Sequence, residues 1–459
     1  MRDIGSHKVK VWGIQQYQGT RGSSYRLRWI VDGTTFTRSL GSRKHADSFR
    51  SELLVAIRQG LAFDGRTGLP IDPSRPAVER LSWFDPTDQY VDLKWPGASA
   101  RHRKGIAEAL VNVTFALMDT SHRQFAEYER QELVAALTFG AFSRGKAPDY
   151  DAEALATLRA SAPDASVLGD GVAIRKVLNA LALKQDGTPA AEATVIRKRA
   201  TLHNLLQFAV DAGVITANPL KTIKRSGPRI RTTVDPRVVI NQKQGKALLA
   251  GVKADHPHLR AYFALMLFAG LRPAEARNVR RRDLELPDEG WGWVLLHSTA
   301  QVSGSAWTND GQATEQRPLK HRSQSETRRV PLNKRAVKIL RTHLDTYPCG
   351  PDGHLFVSRT GKAGKPLSPP YTSLVSVETI GRAWSRARIT ALSPEQVDSV
   401  LARRPYDLRH ARLTWWLNAG VPPTQVAMWA GHSVRVLLDV YAGCVDGGEK
   451  QALSLLSRD

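Results

Sequence analysis

The sequence predicts a multidomain, mainly α fold. It comprises a small N-terminal β-sheet plus helix, a helical domain, and an α-rich C-terminal domain with a small β-sheet. Three observations predict it. The 459 residues suit about three domains of roughly 150 residues. Strand-like alternation is concentrated near the N-terminus and in two later short runs. Helical periodicity dominates the remainder.

The N-terminal unit comes first, over residues 1–64. SYRLRWIV alternates Tyr25, Leu27, Trp29 and Val31 against Arg26, Arg28 and Ile30, and Asp32-Gly33 turns it into TTFTRSL. HKVKVWGIQQY is an earlier strand, making three. Ser42 caps a helix in which Ala46, Phe49, Leu53 and Ile57 fall near one face. Arg26 and Arg28 lie on the exposed strand face, as a DNA-reading surface or a solvated one. Residues 65–91 are rich in Pro, Asp and Gly and predict a linker.

A helical domain follows over 92–222. ARHRKGIAEALVNVTFALM carries Arg101, His102, Arg103 and Lys104 in its first turn. Cations there oppose the helix dipole, and phosphate contact gives them a reason. ATVIRKRATLHNLLQFAVDAG buries Leu202, Leu205, Leu206 and Ala209 and presents Arg197, Lys198 and Arg199. The segment 223–238 is a basic linker. Its Lys224, Arg225, Arg229 and Arg231 suit a phosphate backbone or a solvated tether. Residues 239–459 form the last domain, mostly helical, with GWVLLHS and RRVPL as strands. Between them AQVSGSAWTNDGQATEQRPLKHRSQSE predicts a long mobile loop ending near Lys320.

Charge narrows the partners. The 66 Lys+Arg against 43 Asp+Glu give a net charge of +23, while the hydrophobic fraction, 42%, is ordinary. Such an excess favours a polyanion, nucleic acid above all. Cys349 and Cys444 lie far apart without CxxC spacing, which argues against a zinc site or a disulfide framework. The N-terminus MRDIGSHKVKVW has no apolar signal core, and AYFALMLFAGL is too short to span a bilayer. A cytoplasmic protein without a membrane partner is expected.

On DNA, this chain offers cations and tyrosines. Acidic residues are scattered, so no metal site is expected, and no GxxxxGK[ST] loop is present. An arginine fork suits phosphodiester oxygens and the added charge of five-coordinate phosphorus. A tyrosine can attack phosphorus and store the bond as a phosphotyrosine.

GLRPAEARNVRRRDLEL, PLKHRSQSETRRVPL, YDLRHARLTWWLNAG and AMWAGHSVRVLLDVY occur in that order, with Tyr441 nine residues after His432. In order and spacing they resemble the motif boxes of the tyrosine recombinases, or phage integrases. The looser match of NLLQFAVDAGVITANPL and of the N-terminal β unit resembles their core-site and arm-type DNA-binding domains. The Arg-rich character is similar to integrases of actinobacterial phages and integrative elements. The resemblance implies Tyr441 as nucleophile, Arg272 and Arg409 on the non-bridging oxygens, Lys320 as the acid for the departing 5′-oxygen, and His432 on the phosphate. Glu275 would orient the first box. It further implies cutting and rejoining without metal, ATP or cofactor, by four protomers on two double-stranded DNA attachment sites. EKQALSLLSRD would be exchanged between neighbours. A host DNA-bending factor or an excisionase would be further partners. The alternatives are a regulator that has lost catalysis, a transposase or resolvase with the same chemistry, and a topoisomerase.

One position departs from the family. Its second box usually reads His-x-x-Arg, and here position 406 is tyrosine. A phenol can donate to a phosphate oxygen but is a poor base at neutral pH, so Tyr406 is expected to be a donor. His410 is expected to point a turn away and not to compensate.

Overall fold

The computed structural model describes residues 5–19, 22–64, 68–70, 81–118, 120, 123–184, 186–223, 233–319, 326–361 and 364–441. The chain divides into two units, residues 1–82 and 83–459.

In the first unit the central strand Gly22–Val31 pairs on one edge with Thr34–Leu40, in the register Tyr25↔Leu40 and Val31↔Thr34. The expected first strand is broken in two on the other edge. Val9–Val11 pairs with Trp29–Val31, and Gln15–Gly19 pairs with Gly22–Arg26. Gly13 falls in the gap, where a residue without a side chain to pack weakens a strand. Asp32 and Gly33 both have positive φ, +44° and +83°, as the tight hairpin turn requires. Leu27, Trp29 and Val31 are buried against Phe49 and Leu53 of the helix Arg43–Arg58. Ser42 caps that helix by accepting from the His45 amide. Burying each such side chain contributes about 1.5–3 kcal/mol.

The second unit holds two hydrophobic clusters. The first is helical and already begins at Trp83, inside the expected linker, because Phe84–Lys94 is a helix. Pro86 lies in its first turn, where no amide donor is needed. The helix Ala100–Leu117, capped by Ser99, packs Ile106, Leu110 and Val113 into one core with Ile174 and Val177 of Gly171–Leu181 and Leu202 and Leu205 of Glu192–Asp211.

The second cluster surrounds the helix Arg260–Ala269, whose residues from Ala261 on are all buried. Helices Gln242–Asp255, Lys334–Thr346, Val377–Ala391 and Asp407–Asn418 enclose it. Gly251 lets the first of these lie against Val377–Ala391, since a Cβ there would meet the Ala387 carbonyl oxygen at 2.9 Å. Gly292–Leu296 pairs antiparallel with both Arg328–Leu332 and Leu284–Glu285.

The expected mobile loop is instead a hairpin over most of its described length. Ser298–Val302 pairs with Thr314–Pro318, and a 3₁₀ turn, Ser305–Trp307, lies beyond. Ala306 and Trp307 are buried in the helical cluster. Ser143 donates to the Ala306 carbonyl at 2.6 Å and Arg103 to the Trp307 carbonyl at 2.8 Å. A lone Ala-Trp pair in a polar stretch finds its apolar partners some 200 residues away in sequence, beyond the reach of local pattern.

Candidate active site

Local chain geometry brings the charged groups together. Gly270 ends the helix Arg260–Ala269 in the left-handed region, φ +62°, which a Cβ would disfavour. The chain turns there, and Arg272 precedes the short helix Pro273–Arg277, with Pro273 at the first helical position. Glu275, fully buried, accepts from the Arg272 amide at 2.8 Å and from Arg272 Nη1 at 2.7 Å. It also accepts from Arg328 Nη2 at 2.6 Å, and Arg409 Nη1 lies 4.0 Å away.

Three guanidiniums therefore share one carboxylate, leaving an excess of two positive charges in a largely buried cluster. Burial alone would raise the Glu275 pKa. The charges of Arg328, Arg272 and Arg409 outweigh it and hold the value at about 2. Burial, and then repulsion from Arg272, bring Arg409 down to about 10, still charged at neutral pH.

Backbone carbonyls fix the forks. Arg272 Nη2 donates to the Gly431 oxygen at 2.8 Å. Arg409 donates to the oxygens of Gly270 and Ala430. Gly431, φ +64°, leaves no room for a side chain, since a Cβ would fall 2.2 Å from Arg328 Nη1. Arg409 Nη2 lies 3.1 Å from His432 Nε2. An arginine can only donate, so Nε2 accepts and the proton of neutral His432 sits on Nδ1. Burial, with Arg409, Arg272 and Arg328, lowers the His432 pKa to about 3. His432 Nδ1, Arg409 Nε and Arg328 Nε are buried with no acceptor among the described residues.

Tyr406 immediately precedes the helix Asp407–Asn418 and hydrogen-bonds the Arg272 guanidinium, which leaves its hydroxyl proton available. His410 does not point away from it. Positions four apart share a helix face, and the two rings meet edge-on with centroids 4.9 Å apart. His410 Nδ1 lies 2.8 Å from the Tyr441 hydroxyl. Tyr441 ends the helix Val434–Tyr441 and is buried. The His410 pKa falls to about 4, through burial first and then Arg404 and Arg409.

Among the DNA-contact candidates, Arg101, Lys104 and Arg197 are exposed, as are Arg26 and Arg28 in the first unit. Arg26 stacks over Tyr17 and Arg28 over Trp12, at 4.5 and 5.1 Å from the ring centroids. Arg101, Arg272, Arg404 and Tyr406 line a cleft of about 530 Å³. Two candidates are corrected. Arg103 is buried over Trp95 with its donors on the carbonyls of Trp95 and Trp307. Lys198 is buried with its ammonium on the Leu183 carbonyl, 2.9 Å away. Both hold protein, since a long cationic stem buries readily where a carbonyl meets its head. Lys320, Lys224, Arg225, Arg229, Arg231 and EKQALSLLSRD lie outside the described residues.

Sequence reasoning undervalued two residues. The boxes assign Arg328 no role, yet it shares a strand face with Val330 and Leu332, a period-two signal of burial. His410 carried an i, i+4 signal from Tyr406. Among the described residues no group of three or more His, Cys, Asp or Glu could hold a metal ion, and no helix is long and apolar enough to cross a membrane.

The phage integrase family model matches residues 239–443. The prophage integrase IntR of Escherichia coli (strain K12) is 24% identical over 268 residues, covering 58% of this chain. The tyrosine recombinase XerC of Bradyrhizobium diazoefficiens is 27% identical over 185 residues, covering 40% of it. The chain spans 60% and 44% of the lengths of these two relatives. A lambda integrase tetramer bound to a Holliday junction aligns at 14% identity and a TM-score of 0.43, over 94% of this chain and 93% of that one.

Proposed function

Because this chain belongs, through residues 239–443, to the phage integrase family of tyrosine recombinases, we propose that it is a site-specific DNA recombinase, an integrase that cuts and rejoins DNA through a 3′-phosphotyrosine. The observation that carries this reading is the cluster of Arg272, Arg328 and Arg409 around Glu275, with its excess of two positive charges. A phosphodiester brings one negative charge, and five-coordinate phosphorus carries a second. A preorganised site of charge +2 therefore favours the transition state over the ground state.

Tyr441 attacks phosphorus and the 5′-oxygen leaves, protonated by Lys320. Arg272 and Arg409 hold the non-bridging oxygens. Tyr406 and the His432 Nδ1–H, a buried donor in search of an acceptor, donate to the phosphate. The 5′-hydroxyl of a partner strand then attacks the phosphotyrosine, so bond number is conserved and no ATP is consumed. Double-stranded attachment sites are the partners, with four protomers on two sites, in a bacterial cytoplasm. The N-terminal unit would contact arm-type DNA through Arg26 and Arg28, and residues 92–222 core-site DNA through Arg101, Lys104 and Arg197.

Covalent trapping tests this reading. The protein is incubated in EDTA with a supercoiled plasmid carrying the DNA that flanks its own gene, then quenched with detergent. A protein–DNA adduct formed by wild type and absent in Tyr441→Phe is expected. Wild type that binds this DNA without forming an adduct would instead favour a regulator.

A further inference from the structure

The recombinase reading leaves one proton without a destination. Tyr441 must lose it on attacking phosphorus, and the family's usual histidine is replaced by Tyr406, whose phenol is a poor base at neutral pH. Resting on that reading, we propose that His410 is the general base of cleavage, taking the Tyr441 hydroxyl proton on Nδ1 and returning it when the strands rejoin.

Geometry carries the inference. The Nδ1 to Oη distance is 2.8 Å, within the range a general base needs. His410 sits one residue after Arg409 on the helix that also begins beside Tyr406, so the base and the phosphate clamp share one rigid element. Its ring packs between those of Tyr406 and Tyr441, with centroids at 4.9 and 5.6 Å. This packing limits its rotation.

The protonation state agrees. With its pKa lowered to about 4, His410 is neutral at neutral pH and can accept a proton. Burial lowers it most, and the cations that lower it further, Arg404 and Arg409, belong to the site: Arg404 lines the cleft beside Arg272 and Tyr406. A bound phosphodiester offsets their charge and makes His410 a stronger base when the substrate arrives.

The step balances. The Tyr441 O–H bond breaks and its proton moves to His410 Nδ1, while Oη bonds to phosphorus. The P–O5′ bond breaks with its electron pair on the 5′-oxygen, which takes a proton from Lys320 or water. In rejoining, an incoming 5′-hydroxyl gives its proton to neutral Lys320 or water and displaces Oη from phosphorus, and Oη recovers its proton from His410.

The test uses the full chain and a nicked duplex spanning the cleavage position mapped by the trapping assay. His410→Asn places an amide near the position of Nδ1. It can keep the hydrogen bond to Tyr441 but cannot carry a proton away. Adduct formation is expected to slow by about 10²–10⁴-fold, with DNA affinity and melting temperature unchanged. A 5′-bridging sulfur at the scissile phosphate removes the need for an acid, since a thiolate leaves unprotonated. The His410→Asn defect is expected to persist on that substrate. Cleavage by His410→Asn at the wild-type rate would reduce His410 to a positioning residue and overturn the proposal. So would repair of the defect by sulfur, which would put His410 on the leaving-group side. Should His410→Asn fail to fold, His410→Ala supplemented with imidazole takes its place. Restored cleavage then supports the proposal and its absence overturns it. Wild type without an adduct defeats the recombinase reading itself, so the two failures are distinguishable.

Discussion

Replacing Glu275 by glutamine keeps the shape of the side chain and removes the charge that Arg272, Arg328 and Arg409 share. The Glu275 pKa lies at about 2 against an ordinary 4.5. At 1.36 kcal/mol per tenfold in acidity, this corresponds to about 3 kcal/mol. The range for breaking a buried pair and stranding its partner, about 3–5 kcal/mol, agrees. For a domain near 200 residues, 3 kcal/mol lowers the melting temperature by about 6–12 °C. The sign with pH follows from the depressed folded value. The contribution is complete above pH 4.5, where Glu275 is ionised even when unfolded, and disappears as pH falls toward 2. Thermal unfolding of wild type and Glu275→Gln, followed by circular dichroism, should show the full gap at neutral pH and a narrowing one below about pH 4.5. A variant melting with wild type at neutral pH, or a gap that stays constant into the acid range, would refute the reasoning.

Two further outcomes follow from burial. Replacing exposed Arg101, Lys104 and Arg197 together by alanine should flatten the dependence of log affinity for duplex DNA on log salt by roughly 2–3, as three fewer phosphates are neutralised; an unchanged slope in a binding titration would remove these residues from the DNA surface. Trp307→Ala should cost about 3–5 kcal/mol, read by calorimetry as a lower melting transition, while Trp291→Ala, 58% exposed, should leave it unaltered; equal behaviour of the two variants would contradict the docking of the hairpin.

Much of the candidate site is legible in the sequence because it is built from local boxes. Arg272, Arg409, His432 and Tyr441 were recognisable by order and spacing, since each box holds its residue at a fixed place on one turn or helix. What the boxes omit is their mutual packing. Arg328 reaches Glu275 across 53 residues, and only strand alternation hinted that it faces inward. Arg103 and Lys198 show the opposite error. Formal charge does not reveal whether a cation meets solvent or a buried carbonyl, so two structural residues resembled phosphate contacts. His410 was discounted although position 406 lies one helical turn before it. Local pattern places Trp307 in a mobile loop because its socket is assembled from Trp95, Arg103 and Phe139, none of which a local window contains.

That socket also has a history in time. The hydrogen bond from Arg103 to the Trp307 carbonyl closes a separation of 204 residues. A ribosome adding about 5–20 residues per second makes the helical region roughly 10–40 s before the hairpin that fills it. A helical region that folds as it emerges carries an open apolar socket through that interval, with the Trp307 carbonyl that accepts from Arg103 not yet synthesised. Docking of the hairpin is therefore a late step, and the newborn helical region is the stage at which a chaperone would have the most to hold.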